Sequence, residues 1–431
     1  MSSYDSKALE RHRYYRGKTS TGFKVPIASY HDFAIWYTPG VAAPCVEIAK
    51  EETRVFEYTN KGNSIAVVTD GSRVLGLGNI GPPAALPVME GKALLFKYLG
   101  DVDATPICLD TQDPDEIVTA VKWIAPTYGG INLEDIASPK CFQIYETLAK
   151  ELDIPVFHDD QQGTAVVALA GMMNALKVVG KSLGDVAITI VGAGAAGRAF
   201  AQLLMATAVD AGKMKIVDRK GILHVGREDF RPWKLDLAQT TNRDAVEGDT
   251  AKALEGADVA VCLSRPGPGV VTSTMIEGMA ENAIVFALAN PVPEITPEEA
   301  RKGGARIIAT GRSDYPNQVN NSLGFPAIFR GMLDVRAKAI NVEMMLAAAR
   351  SIAACAEEKG LRPNYIIPSM DEEGLYPREA AAVAEAAMAS GVARIKVDIE
   401  ELRITTEERL RNTGRSMEVA LREGLIAALP S

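Results

Sequence analysis

Four carboxylates occur as two adjacent pairs, Glu134-Asp135 and Asp159-Asp160, near the end of the first third of the chain. A glycine-rich loop follows at residues 192–197, with the sequence Gly-Ala-Gly-Ala-Ala-Gly. Converging carboxylates are the ligands that Mg²⁺ and Mn²⁺ prefer, and a glycine-rich turn between a strand and a helix binds the pyrophosphate of a dinucleotide. The two features pose the question of whether a metal ion and a dinucleotide meet in one active site.

Short apolar segments place these carboxylates at the ends of predicted strands. We predict strands at 64–69, 104–109, 129–133 and 154–157, and helices between them at 89–98, 115–124 and 141–150. Such alternation is typical of a mostly parallel sheet, whose ligands lie beyond the carboxyl ends of the strands. Asp70 and both acidic pairs directly follow predicted strands. We therefore expect all of these acids in one crevice.

The two pairs are expected to behave differently, because neighbouring residues on a straight strand point to opposite faces. Glu134 and Asp135 can bind one ion together only from a strand end or a turn. Asp159 and Asp160, if extended, should split, one toward the metal and the other toward a second catalytic group. Taken alone, either pair is more simply interpreted as solvated acids at a loop end, the usual fate of acidic side chains.

The glycine-rich loop lies between a predicted strand at 185–191 and a predicted helix at 198–209. Asp218 ends the next predicted strand, 21 positions after Gly197, which is close to the spacing of a ribose-binding carboxylate. An acid there accepts hydrogen bonds from the ribose hydroxyls and favours NAD. Arg219 and Lys220 follow at once and could accept a 2′-phosphate, so the sequence gives NAD only a slight preference over NADP.

Composition excludes several classes of protein. The chain has 431 residues, a net charge of −9 and no Lys/Arg-rich run, which argues against nucleic acid as a partner. Five scattered cysteines without a CxxC pair favour a reducing cytoplasm, and four histidines lack the spacing of a zinc site. The longest apolar run, 164–176, is shorter than the ~20 residues of a membrane span. The polar N-terminus lacks the apolar core of a signal peptide.

We predict an α/β fold with two domains and a tail. Residues 1–160 form the first domain, which carries the acids, and residues 161–385 form a Rossmann-type, doubly wound parallel-sheet domain. Residues 386–431 form a helical C-terminal extension. A long helix from 163 to about 179 leads into the second domain, whose later strands are predicted at 258–262, 283–287 and 306–309.

The chain resembles a malic enzyme of the small prokaryotic type. The matching stretches occur in that family's order and span residues 37–331. They are YTPGVA (37–42), VTDGSRVLGLGNIG (68–81), PVMEGKALLFKYL (87–99), INLEDI (131–136), FHDDQQGTAVV (157–167), VGAGAAGRA (191–199), NPVPEITPEEA (290–300) and GRSDYPNQVNNSLGFPAIFRG (311–331). The last hundred residues match less distinctively.

The resemblance implies oxidative decarboxylation of L-malate to pyruvate and CO₂, with reduction of NAD⁺ or NADP⁺ and a requirement for Mg²⁺ or Mn²⁺. It implies a general acid at Tyr37, a general base at Lys92 and a supporting carboxylate at Asp159. The implied metal ligands are Glu134, Asp135 and Asp160, and the implied malate contacts are Arg73, Asn290 and Asn321. The cofactor contacts are expected at Thr164, Gly192, Ala193, Gly194, Ala195, Ala196, Gly197, Asp218 and Asn290.

Each of these roles has a simpler structural interpretation. Lys92 can serve as a base only if burial or a nearby cation lowers its pKa, and without the motif Lys97 would be as good a candidate. Tyr37 reads as a half-buried aromatic beside a Pro-Gly turn. Arg73 suits a carboxylate because guanidinium binds it with two prongs, but it also fits a surface turn. Asn290, which precedes Pro291, is typical of a turn.

Three other functions remain open from the sequence. A malolactic-type enzyme on the same scaffold would release lactate and keep its NAD bound. A plain 2-hydroxy acid dehydrogenase would release oxaloacetate. A non-catalytic dinucleotide-binding regulator would need neither Tyr37 nor Lys92. His158, Gln161 and Pro82-Pro83 depart from the family pattern and leave specificity open. We expect a homodimer, with the aromatic N-terminal segment and the charged C-terminal arm as candidate contacts.

Overall fold

A four-stranded parallel sheet organises the first part of the chain in the computed structural model, which describes residues 3–429. Its strands are β1 (Ser64–Thr69), β2 (Asp103–Cys108), β3 (Gly130–Leu133) and β4 (Val156–His158). They lie in the order β2-β1-β3-β4, with every pairing parallel. β1 is rich in β-branched and apolar residues and is buried along its whole length, as a central strand covered on both faces must be.

Helices cover this sheet and precede it. They are α1 (Ser3–Tyr15), α2 (Phe33–Trp36), α3 (Ala42–Lys50), α4 (Val55–Tyr58), α5 (Pro82–Gly100), α6 (Pro114–Ile124) and α7 (Lys140–Glu151). Local chemistry sets their ends: Asp113 caps α6 by accepting hydrogen bonds from the amides of Asp115 and Glu116. α5 begins seven residues before the predicted helix because Pro82 and Pro83, which need no amide partner in a first turn, start it.

A six-stranded sheet organises the second part. Its strands are β5 (Ile188–Val191), β6 (Met214–Asp218), β7 (Gly221–Ile222), β8 (Val259–Cys262), β9 (Ile284–Ala287) and β10 (Ile307–Thr310). The order is β10-β9-β8-β5-β6-β7, and all pairings are parallel except that of β6 with β7. The predicted parallel α/β architecture is confirmed. The short antiparallel strand β7 was not predicted, since two residues carry no periodic signal.

Ten helices accompany this sheet and complete the described chain. They are α8 (Thr164–Val179), α9 (Ala195–Met205), α10 (Pro232–Thr240), α11 (Thr250–Leu254), α12 (Ser273–Glu277), α13 (Pro297–Lys302), α14 (Phe325–Asp334), α15 (Val342–Glu358), α16 (Leu375–Ala389) and α17 (Ile399–Arg422). α9 begins three residues earlier than predicted, inside the glycine-rich loop. Within residues 3–429, one helical stretch, 159–179, is long and apolar enough to cross a membrane, but 72% of its apolar window is buried, as in a core helix.

Aromatic packing joins the two parts near the predicted site. Phe96 of α5 contacts Phe325 and Phe329 of α14, with ring centroids 4.6 and 5.2 Å apart. Phe157 of β4 contacts the same Phe329 ring at 5.6 Å. α5 is therefore held between the first sheet and the C-terminal helices, which fixes the face of α5 that carries Lys92.

The N-terminal segment differs from the rest of the chain because almost all of its described residues, 4–38, are exposed. α1 was not predicted, since its polar sequence lacks an apolar stripe. Large apolar side chains in this segment remain in solvent: Tyr4, Leu9, Tyr14, Tyr15, Phe23, Tyr30, Phe33, Ile35, Trp36 and Tyr37. Such a concentration of exposed apolar side chains in one segment indicates an interaction site.

Candidate active site

Three carboxylates converge at the carboxyl edge of the first sheet. Glu134 and Asp135 follow β3, Asp160 follows β4, and one oxygen of each lies within 4.8 Å of the other two. Glu134 and Asp135 are buried, whereas Asp160 is partly open to solvent. Of the described residues, these three form a group with the spacing of a metal site. They are the ligands that the resemblance implied.

A turn allows the adjacent Glu134 and Asp135 to point the same way. Asp135 adopts a left-handed backbone conformation with φ of 54°, which costs about 1–3 kcal/mol for a residue other than glycine. Its carbonyl oxygen accepts a hydrogen bond from the amide of Arg73 at 3.0 Å. Its own amide donates to Oδ2 of Asp160 at 3.0 Å. The strand-end geometry that the sequence required for this pair is therefore present.

Asp159 and Asp160 diverge, but not because the chain is extended. Residues Asp159–Gly163 form a π-helical turn between β4 and α8. Asp160 joins the other acids, while Oδ2 of Asp159 accepts hydrogen bonds from Nζ of Lys92 at 2.7 Å and from Nδ2 of Asn321 at 2.8 Å. The two adjacent side chains thus point different ways, as predicted, but they do so because of a π-helical turn and not because the chain is extended.

Lys92 lies between the metal-site acids and Asp159. Its Nζ is 3.1 Å from Oε1 of Glu134 and 4.3 Å from the centroid of the Phe325 ring, and its side chain is 11% exposed. Burial opposes the charged form, but Asp159 and Glu134 outweigh burial and raise the pKa of Lys92 above its usual range. The condition that a base at Lys92 must meet, a lowered pKa, is therefore not met by the protein on its own, because two carboxylates flank the ammonium group.

The three carboxylates lie close enough to repel one another when ionised, and a bound cation would relieve that repulsion. Burial raises the pKa of Asp135 to about 7, and the nearby charge of Asp160 adds to the effect. Burial likewise raises the pKa of Glu134 well above its usual range, against the pull of Lys92. Oδ2 of Asp135 is buried and has no hydrogen-bond partner among the described residues. An all-oxygen donor set with a free buried oxygen fits Mg²⁺ or Mn²⁺.

Asp70 follows β1 at the same edge but does not join the other acids. One of its oxygens accepts hydrogen bonds from the amide and the hydroxyl of Ser72, at 2.9 and 2.6 Å. The other forms an ion pair with Nζ of Lys140. Asp70 thus lies at the strand end where the sequence placed it, but its charge is neutralised by Lys140 and it is not one of the three converging acids.

The predicted malate contacts lie in different surroundings. Asn321 lies beside Asp159, and its Oδ1 accepts a hydrogen bond from Thr164 at 3.2 Å. Asn290 is exposed and precedes Pro291 in the loop after β9. Its carbonyl oxygen lies so close to Gly76 that a Cβ there would be 2.8 Å away. The loop that carries the exposed side chain of Arg73 therefore reaches across to the second sheet.

Tyr37 is not part of this cluster in the single chain. Its side chain is 69% exposed. None of the hydrogen bonds or ion pairs found among residues 3–429 joins it to Lys92, Asp159 or the three acids. The acid and the base that the resemblance implied are therefore separated, and Tyr37 lies within the exposed apolar segment.

The glycine-rich loop fits a dinucleotide, because its three glycines are needed for different reasons. Gly192 has φ of 125°, and a Cβ there would lie 2.3 Å from the carbonyl oxygen of Leu263. A Cβ on Gly197 would lie 1.8 Å from the carbonyl oxygen of Gly192. A Cβ on Gly194 would meet nothing within 4 Å. Close packing against the main chain explains Gly192 and Gly197, and the open space over Gly194 leaves room for a pyrophosphate to approach the backbone.

We expect Gly194→Ala to fold normally and to weaken NADH binding by roughly 10- to 100-fold, the cost of one inserted methyl group against a close-fitting ligand. Gly197→Ala should instead lower the melting temperature, because the new methyl group collides with the main chain of Gly192. Nucleotide titration by fluorescence and thermal unfolding separate the two effects. Unchanged NADH affinity in Gly194→Ala would contradict the assignment of this loop.

Asp218 lies at the end of β6, as predicted, but its carboxylate is already occupied. It accepts hydrogen bonds from both terminal nitrogens of Arg227 at 3.0 and 3.1 Å and from the amide of Lys220 at 2.9 Å, and it pairs with Nζ of Lys234. Burial opposes ionisation, but Arg227 and Lys234 hold the pKa of Asp218 below its usual range. Few acceptor positions remain for ribose hydroxyls.

Several residues at the site were not found from the sequence. Asn132 of β3 donates to Oε2 of Glu134 at 2.9 Å. Arg227 and Lys234 approach Asp218 from 9 and 16 positions further along the chain, a separation that no local pattern reveals. The sequence contains one signal that could have identified a missed residue: Asn132 is a polar residue inside an apolar strand.

Comparison with family models gives matches to both parts of the chain. Residues 16–149 match the malic enzyme N-terminal domain, and residues 161–389 match the malic enzyme NAD-binding domain. The chain belongs to the malic enzyme family. Its relatives are named NAD- or NADP-dependent malic enzymes, so the protein is an oxidoreductase of that kind.

Individual malic enzymes resemble the chain over most of its length. It is 50% identical to a bifunctional malic/malolactic enzyme of Bacillus subtilis, covering 93% of this chain and 97% of the relative. It is 47% identical to an NADP-dependent malic enzyme of Halomonas elongata, covering 88% and 92%. The crystal structure of malic enzyme from Pyrococcus horikoshii matches with a TM-score of 0.94 and 52% identity, covering 97% of this chain and 99% of that one.

Proposed function

We propose that this malic enzyme converts L-malate to pyruvate and CO₂, reduces NAD⁺ or NADP⁺, and requires Mg²⁺ or Mn²⁺. The observation that carries the proposal is the contact of Lys92 with both Asp159, at 2.7 Å, and the metal-site residue Glu134, at 3.1 Å. A base, its supporting acid and a cation site therefore meet at one sheet edge.

Binding and orientation of malate fall to groups around this edge. Arg73, on the loop tied to Asp135, supplies a guanidinium for one carboxylate of malate. Asn321 and Asn290 supply amide donors from the side of the second sheet. Glu134, Asp135 and Asp160 would hold the divalent ion, which when bound supplies Lewis acidity for the negative charge that develops during decarboxylation.

Lys92 takes the C2 hydroxyl proton of malate, and a nicotinamide bound to the second domain would be the acceptor of the C2 hydride. Lys92 must be neutral at that moment, although Asp159 and Glu134 favour its charged form. A divalent ion held by Glu134, Asp135 and Asp160 would offset the charge of Glu134 and so favour the neutral amine of Lys92. Asp159 keeps the amine oriented, and Asn321 in turn holds Asp159 at 2.8 Å.

Tyr37 supplies the proton that C3 needs after CO₂ has left. Its exposure means that another surface must cover it, and we propose that a homodimer formed through the exposed N-terminal segment does so.

We further propose that the chain divides into domains at residues 160 and 385, with the tail from 386 beyond them, and that the protein is cytoplasmic.

A malate assay with NAD⁺ and NADP⁺ in parallel, each with Mn²⁺ or with EDTA, tests the function. We expect equal amounts of pyruvate and reduced cofactor with Mn²⁺, and none with EDTA, because decarboxylation needs the cation. The measurement is reduced-nicotinamide absorbance together with product identification. Equal rates in EDTA would remove the metal from the mechanism, and oxaloacetate as the end product would indicate a plain dehydrogenase.

The same assay decides two finer points. The name of the Bacillus subtilis relative keeps malolactic activity as the second candidate; lactate without net reduction of cofactor would establish it. The slight preference for NAD stays a prediction. The engagement of Asp218 by Arg227 and Lys234 weighs against it, because a ribose diol needs free acceptors.

A further inference from the structure

Two loops at the carboxyl edge of the first sheet, next to the proposed site, are joined to each other by hydrogen bonds. One follows β1 and carries Arg73; the other follows β3 and carries Asp135. The amide of Arg73 donates to the carbonyl oxygen of Asp135 at 3.0 Å, and the amide of Ala137 donates to Oγ of Ser72 at 2.8 Å. A malate contact and a metal ligand thus depend on the same pair of cross-links.

The Ser72 hydroxyl has its direction fixed. Its Oγ lies 2.6 Å from Oδ1 of Asp70, and a carboxylate oxygen can only accept a hydrogen bond. The hydroxyl proton therefore points to Asp70, and an oxygen lone pair is left facing the amide of Ala137. Loss of either Asp70 or the hydroxyl breaks the connection to the second loop.

Asp70 itself is anchored from its other side. It is fully buried, and its second oxygen pairs with Nζ of Lys140, which also donates to the carbonyl oxygen of Gln112 at 3.1 Å. A buried carboxylate needs such compensation. Lys140 begins α7, so the anchor reaches from the end of β1 to the helix that follows the second loop.

We propose that Asp70 and Ser72 are positioning residues for the metal ion and malate. Through Ala137 and the Arg73 amide they hold Asp135 in its left-handed conformation, with φ of 54°, so that its carboxylate meets Asp160. The same hydrogen bonds fix the position of the Arg73 backbone relative to Asp135. The inference rests on the proposed function of this site. It predicts weaker binding of both ligands with a smaller effect on turnover at saturation.

Ser72→Ala tests the inference, because it removes the cross-link and leaves the ion pair of Asp70 with Lys140 in place. We expect the Mn²⁺ dissociation constant to rise about tenfold, as for other groups that orient metal ligands. We expect KM for malate to rise with it and kcat to change less. Calorimetric titration of Mn²⁺ into the metal-free protein and steady-state kinetics measure these. Ser72→Thr, which keeps the hydroxyl, should restore the wild-type values.

Thr241→Val is the matched control. Its hydroxyl is equally buried and donates to the carbonyl oxygen of Leu237 at 2.7 Å, at the end of α10. It should lower the melting temperature about as much as Ser72→Ala while Mn²⁺ binding stays unchanged. Ser72→Cys, whose thiol fills the space of the hydroxyl but is a weak hydrogen-bond acceptor, is a second variant in case Ser72→Ala does not fold.

Wild-type Mn²⁺ affinity and malate KM in both Ser72→Ala and Ser72→Cys would overturn the inference, because Asp70 acts on the second loop through the Ser72 hydroxyl. That failure is distinct from failure of the proposed function. If the wild-type protein turns over malate while these variants bind normally, only the positioning role is lost. If the wild-type protein does not turn over malate at all, the proposed function is lost, and the Mn²⁺ titrations still report on the loops.

Discussion

Lys92→Ala is expected to lower kcat for malate oxidation by about 10³-fold, within the range of a lost general base. Nζ of Lys92 lies at hydrogen-bond distance from Asp159 and Glu134 and is almost fully buried. Water would be a poor substitute for the lost amine, because Nζ of Lys92 lies against an apolar ring, 4.3 Å from the centroid of Phe325. Steady-state kinetics at saturating malate, cofactor and Mn²⁺ measure the loss.

Lys97→Ala is the control for Lys92→Ala. Lys97 lies five residues further along α5 and also pairs with two carboxylates, Asp101 at 2.6 Å and Asp103 at 2.9 Å. Its side chain is substantially exposed, and surface ion pairs of this kind contribute little. We expect wild-type kcat. Equal kcat in Lys92→Ala and Lys97→Ala would remove Lys92 from the chemistry and return both lysines to the simple role of helix residues.

The sequence predicts the sheets well because their signals are local. β1 and β5 are runs of β-branched and apolar residues, each followed at once by a polar or glycine-rich turn. The convergence of Glu134 and Asp135 could also be anticipated, since two adjacent acids can share an ion only where a strand ends. The residues that determine these strands and this acidic pair lie only a few positions away from them in the sequence.

The rest depends on partners that are distant in the sequence. Asp70 was expected in the same crevice as the other acids because it also follows a strand, but it forms an ion pair with Lys140, 70 positions further along the chain. Asp218 was expected to accept hydrogen bonds from a ribose, but its carboxylate already accepts hydrogen bonds from Arg227 and forms an ion pair with Lys234. The pKa of Lys92 is raised, whereas a base needs a lowered one, because Asp159 and Glu134 outweigh the effect of burial. The sequence predicts which acids lie at strand ends, but it does not predict which side chains neutralise their charges.

Tyr37→Phe is expected to lower kcat by roughly 100-fold or more, as removal of a general acid does. The ring stays, so the apolar contacts of the segment are kept, while the proton donor for C3 is lost. Lys92 still accepts the hydroxyl proton, and hydride transfer should survive. Single-turnover measurement of cofactor reduction, compared with the steady-state release of pyruvate, distinguishes these two steps.

Mixed dimers then locate the tyrosine. In the single chain Tyr37 is 69% exposed and lies amid apolar side chains that a second copy would cover. If each site takes Tyr37 from the partner and Lys92 from its own chain, an equal mixture of Tyr37→Phe and Lys92→Ala subunits regains about a quarter of wild-type activity, because half of the dimers then contain one intact site. Subunits are exchanged under mild dissociation, and sedimentation verifies that dimers re-form. No recovery in verified mixed dimers would place Tyr37 and Lys92 in the same chain, with the N-terminal segment folding back over its own active site.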